Sequence, residues 1–195
     1  MFNFLSVFFR RLFRGRLPIR QNVEYKLTDK DGNTKPIWKE NLIARISRKL
    51  GHVLPQTSLF GHWTDKLVLS NLVVNAGKAE VANLLVGESS PVAFTYIAIG
   101  TDATAEAVGD TALGAEITTG GGARAAATVS RVTTDVTNDT AKLEKTFTFS
   151  SSFAITESGV FNDASAGDML ARKTFSTINV TSGDNLAITW QFDID

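Results

Sequence analysis

Toward the end of the chain, Leu186, Ile188, Trp190, Phe192 and Ile194 alternate strictly with Ala187, Thr189, Gln191 and Asp193. A period of two over nine residues describes a strand with one buried face. Similar apolar runs, bounded by Gly, Asn, Asp and Ser, predict strands over about Arg124–Val136, Ala141–Phe149, Ala154–Phe161 and Met169–Phe175. Upstream, Leu67–Val74 and Ala93–Ile99 read as further strands. Between them Asn75 is placed to cap a short helix, Gly77–Leu85, and Thr111–Ile117 reads as a helical turn. Short strands separated by turn residues imply an antiparallel β-sandwich, jelly-roll-like and mainly β, over residues 67–195.

The first 66 residues have a different character. At 100° per residue, Phe2, Phe4, Leu5, Phe8, Phe9, Leu12 and Phe13 share one half of a helical wheel, and Arg10, Arg11 and Arg14 lie on the other. Gly15 and Pro18 then stop the helix. Residues 1–20 are therefore expected to form an amphipathic arm. Residues 21–66 are expected to be a separate hairpin-and-helix segment. In it, Val23, Tyr25 and Leu27 alternate with polar residues before an Asp31-Gly32 turn. Lys39–Leu50 follows as a helix with Leu42, Ile43, Ile46 and Leu50 on one face, and residues 52–65 form a connector.

Charge sharpens this division. The chain has no net charge, yet residues 1–72 carry thirteen cations against five acids, a net +8 balanced by −8 in the remainder. The two ends thus meet different environments, or the basic segment lies on its own acidic domain. Cysteine is absent, which excludes disulfides and thiolate chemistry. Two isolated histidines, His52 and His62, do not make a His-rich metal site. The arm's apolar run is far shorter than the roughly 20 residues of a membrane span. Its positive charge follows the apolar run instead of preceding it, unlike a secretory signal. Phe and Leu opposite Arg suit a membrane surface or a protein groove, and we expect the groove.

Candidate chemistry is sparse. Asp29, Asp31, Asn33, Lys35 and Glu40 match part of a calcium-loop spacing, but Thr34 stands where that loop needs Gly and Pro36 interrupts it. Thr118–Arg124 is glycine-rich without the Gly-Lys-Ser/Thr that cradles phosphate. Ser150–Ser152 have no His partner nearby in sequence. The pairs Asp102/Glu106 and Asp163/Asp168 lie in turn-like sequence where acids are ordinarily solvated. Aromatics do not interleave with cations on a sheet, so nucleic acid is not expected. No cofactor and no catalytic residue is expected.

The segments Ile155–Asn162 and Gly167–Phe175 read as a β-hairpin. With Phe161 opposite Asp168, Glu157 falls opposite Arg172, a cross-strand pin worth under about 1 kcal/mol if exposed. Gly159 in mid-strand marks a bulge or the close approach of a neighbour.

Taken in order, Asn71–Leu85, Tyr96–Asp102, Asp110–Glu116, Ile155–Asn162, Gly167–Phe175 and Asp184–Trp190 resemble a family of bacteriophage virion proteins of the tail-fibre-like or tail-associated type. The resemblance covers about residues 67–195. It implies a non-enzymatic β-sandwich module that assembles on the virion, often as an oligomer. The expected partners are other virion proteins and further copies of the chain, with the arm docking into one of them. A tail or fibre-attachment role is expected ahead of a capsid decoration or head-fibre role. A host-surface module that binds membrane or carbohydrate is the alternative class.

Overall fold

The computed structural model describes residues 19–52 and 54–194. The arm residues Phe2, Phe4, Leu5, Phe8, Phe9, Arg10, Arg11, Leu12, Phe13 and Arg14 lie outside the described residues.

Two antiparallel sheets pack face to face. The first is built on β1 (Ile19–Thr28), β10 (Thr140–Thr148) and β13 (Asn185–Ile194), with β2 (Thr34–Lys35) and β5 (Leu67–Ser70) beside β1 and β9 (Thr128–Val132) beside β10. The second runs β6 (Leu72–Val73), β12 (Met169–Val180), β11 (Phe153–Phe161), β7 (Tyr96–Gly100), β8 (Ala125–Ala126). A small ribbon of β3 (Ile37–Glu40) and β4 (Gly61–Thr64) stands beside them. The expected antiparallel sandwich is the observed fold.

The alternation on β13 sets the first sheet's inner face. Leu186, Ile188, Trp190 and Phe192 point inward together with Val23, Tyr25 and Leu27 of β1 and Leu143 and Phe147 of β10. Their register is direct: Trp190 lies between Val23 and Leu143, and Leu186 between Leu27 and Phe147. The facing sheet contributes Ile97, Ile99, Ile155, Val160, Phe175, Ile178 and Val180 to the same core. Burying a large apolar side chain contributes about 1.5–3 kcal/mol, so this interface dominates the fold's stability.

Three expectations need correction. β1 pairs with β13 along its whole length, from Ile19 opposite Ile194 to Thr28 opposite Asn185. The strand therefore belongs to the sandwich, against the expectation of an arm over residues 1–20 and a separate segment over residues 21–66. The helix expected from Lys39 starts later, as α1 (Leu42–Lys49), because Lys39 and Glu40 pair with His62 and Gly61 in the ribbon. Residues 111–117 form no helical turn; they make an irregular connection with bends and a single bridge from Glu116 to Gly100.

The second helix, α2 (Asn75–Val86), is also longer than expected. Asn75 lies inside it, and Val74 at its start supplies no capping side chain. Position is set instead by close packing: a methyl group on Gly77 would overlap the Leu170 backbone of β12. Val74, Ala98, Leu113, Phe161 and Met169 form a smaller second core on the outer side of the second sheet. That outer layer explains why β11 is buried from Ile155 to Phe161 without alternation.

Candidate functional site

The hairpin of β11 and β12 carries the site predicted from Glu157, Gly159 and Arg172, with a different register. Phe161 pairs with Met169, Gly159 with Arg172 and Glu157 with Thr174. Met169 replaces Asp168 as the first partner, and a bulge between Val160 and Phe161 shifts the pairing by one more residue. A shift of two preserves the face, so Glu157 and Arg172 become diagonal neighbours instead of direct ones. Their side chains still meet, Arg172 Nε donating to Glu157 Oε2 at 2.9 Å.

The expected cross-strand pin is a buried clamp. Glu157 is 0% exposed and Arg172 3%. The Glu157 carboxylate also accepts the backbone N–H groups of Ala115 at 2.8 Å, Gly114 at 3.1 Å and Asp102 at 3.3 Å. Arg172 reaches Asp110 at 2.8 Å and Asp102 at 3.2 Å. One guanidinium therefore faces three carboxylates, and the loop's amides supply the remaining positive potential. Burial alone would lower the Arg172 pKa, but its bonds to Asp110 and Glu157 outweigh that and hold it above its ordinary value. The Thr104 backbone and hydroxyl hold Asp102 below the usual carboxylate range, with Arg172 adding to the effect.

Glycines make room for the clamp. A methyl on Gly100 would strike the Glu157 carboxylate, and one on Gly114 the Asp102 carboxylate. Gly159 lets Leu113 settle on the hairpin, since a Cβ there would lie 3.1 Å from the Leu113 side chain. The loop between β7 and β8 is thus tied to the hairpin by charge at one end and by an apolar plug at the other.

A second acid, part-buried, joins α1 to the sandwich. Glu106 bonds Lys173 Nζ at 2.7 Å and the Thr174 hydroxyl, with Lys49 of α1 at 3.6 Å. Burial would raise its pKa, but the Lys173 and Thr174 bonds prevail and hold it down at about 2. Lys173 itself is pulled below its ordinary value, because burial outweighs its bond to Glu106. A depressed carboxylate stabilises the fold above its unfolded pKa, 4.5 for Glu106, and that contribution is lost as pH falls toward about 2. Glu106→Gln should therefore flatten the loss of stability between pH 4.5 and about 2. Urea titrations of parent and variant across that window check this, and parallel curves would refute it.

Neither Asp102 nor Glu106 is the solvated turn acid expected from sequence. Their partners Arg172 and Lys173 lie more than sixty residues away, so no local spacing announces them. The partial calcium spacing resolves into a turn instead. Asp29 accepts the backbone N–H groups of Asp31 and Asn33, each at 2.9 Å, as the β1–β2 connection closes. Among the described residues, no group of three or more His, Cys, Asp or Glu is placed to hold a metal ion. Among them too, no helix is long and apolar enough to cross a membrane.

No known family, no curated protein and no solved structure matches the chain.

The remaining feature is α1 itself. Asn41 caps it by accepting the Ala44 N–H at 3.0 Å, and Ala44 is the buried residue of the helix. Arg48 donates to Glu40 at 2.9 Å. The apolar face runs the other way: Leu42 is 63% exposed, Ile43 61%, Ile46 51% and Leu50 71%. Sequence periodicity identified that face but not that the fold leaves it open.

Proposed function

We propose that the chain is a non-enzymatic structural subunit of a bacteriophage particle, a tail or fibre-attachment component. In this reading the sandwich assembles with neighbouring subunits and the N-terminal arm anchors it in another virion protein. The observation that carries the proposal is a convergence. Four of the segments that resemble tail-associated proteins, Tyr96–Asp102, Asp110–Glu116, Ile155–Asn162 and Gly167–Phe175, meet in the clamp formed by Asp102, Asp110, Glu157 and Arg172. Segments far apart in sequence thus combine in one structural device. Every charged side chain in it is held by another or by backbone, which suits a rigid building block better than a reaction centre.

The arm supplies the attachment chemistry. Seating several Phe side chains at about 1.5–3 kcal/mol each, with arginines around them, is ample for a stable anchor. Deletion of residues 2–18 stops short of β1 and should leave a folded, soluble sandwich. That variant, expressed during infection, should be absent from purified particles, whereas the full chain is incorporated. Normal incorporation of the truncated chain would refute the anchor role.

A further inference from the structure

α1 is attached to the protein by its charges. Arg48 is paired with Glu40, and Lys49 reaches Glu106, while Leu42, Ile43, Ile46 and Leu50 face outward. A helix that turns its apolar side to water implies a cover. Beside it opens a cavity of about 220 Å³ with an apolar wall that includes Leu67, Leu69 and Phe175 and a charged rim that includes Arg45, Arg48 and Lys173. A cavity of roughly 150 Å³ suffices for a benzene ring, so this one admits a phenylalanine side chain.

The chain itself holds a segment of matching chemistry within reach. β1 begins at Ile19, and Val23 pairs with Leu69, a wall of the cavity. Four residues of strand separate them, about 13 Å at ~3.3 Å per residue. Five residues of chain, 14–18, could span about 16 Å at ~3.3 Å per residue, and twelve residues wound as a helix would be about 18 Å long at ~1.5 Å per residue. The apolar half of that segment can therefore fold back to α1 without crossing the molecule.

Like charge is the objection, since α1 carries Arg45, Arg48 and Lys49 and no acid. Helical spacing answers it: Arg10, Arg11 and Arg14 lie opposite the Phe half of the wheel. They would stand on the far side of a helix about 10–12 Å across. That exceeds the ~8 Å screening length at physiological salt. Burial of the Phe face outweighs what repulsion remains. A short tether also gives the chain's own arm a millimolar effective concentration, which favours it over the arm of another copy.

We propose that residues 2–13 seat their phenylalanine face on the open face of α1, with one ring in the adjoining cavity. For the function proposed above, this is where the arm rests before transfer to its partner. The seat itself does not depend on that function. The absence of cysteine allows a direct test by thiol labelling of a single introduced residue in the purified full chain. Ile46→Cys, and independently Ile43→Cys, is compared with the same variant carrying Phe4→Ser, Phe8→Ser and Phe9→Ser. With the native arm the thiol should react at least about tenfold slower, the factor for a docked state outweighing the open one by ten to one. Leu85→Cys on α2, 81% exposed, should react equally in both backgrounds. Equal rates at both α1 positions would overturn the proposal. So would protection that disappears on dilution, which would assign the face to another copy's arm. Neither result bears on incorporation into particles, so the two readings fail separately.

Discussion

Replacing Arg172 by methionine should destabilise the fold by about 3–5 kcal/mol, the usual cost of removing one partner from a buried ion pair. The penalty arises from what is left behind. Glu157 is fully buried and would be left without its counter-ion, and Asp102 and Asp110 would lose theirs. The latter two retain 28% and 21% side-chain exposure and can regain water. Glu157 cannot, so it dominates. Adding Glu157→Gln to the Arg172 variant should then recover a large part of the loss. Glutamine carries no charge, and its carbonyl oxygen can still accept the Ala115 N–H. Thermal unfolding measures both effects: a loss of 3 kcal/mol should lower Tm by about 6–12 °C in a chain of this size. An Arg172→Met variant within about 1 kcal/mol of the parent would show that the clamp is not a stability element. A double variant no better than the single would locate the damage outside Glu157.

The legibility of this site in sequence was uneven for a physical reason. Alternation on β13 located that strand to within a residue because one face is buried and the other open. The same rule underestimated β12, expected to end at Phe175 but running to Val180. Ser176 is polar yet buried, since its hydroxyl bonds the Trp38 carbonyl from a distant ribbon. Glu157 and Arg172 were legible as a pair because sheet faces survive a two-residue shift, whereas the bulge that causes the shift has no local signature. β1 was legible as a strand, and its Asp31-Gly32 turn correctly indicated β2. Its main partner was not, because pairing with β13 joins the two ends of the chain and no turn signal spans that distance. Acids of the loop after β7 looked solvated for the same reason: their cations arrive through the fold.

Trp190 should separate shape from hydrogen bonding in the core. It is 0% exposed, stands between Val23 and Leu143 in the central strand of its sheet, and stacks on Phe192 at 5.9 Å with 12° between ring planes. Trp190→Ala removes the largest side chain of the core and should cost about 3–5 kcal/mol. Trp190→Phe should cost under about 1.5 kcal/mol, for a reason that area alone does not supply. The buried indole N–H meets no acceptor among the described residues. A buried unmet donor carries a penalty of about 1–3 kcal/mol, and phenylalanine removes it along with part of the ring. The two terms oppose each other, so the aromatic replacement is mild while the alanine replacement is not. Urea unfolding of both variants reads the difference directly. If phenylalanine proves as damaging as alanine, the indole N–H has a partner that contributes to the fold, and the core is held at this point by a hydrogen bond as well as by packing.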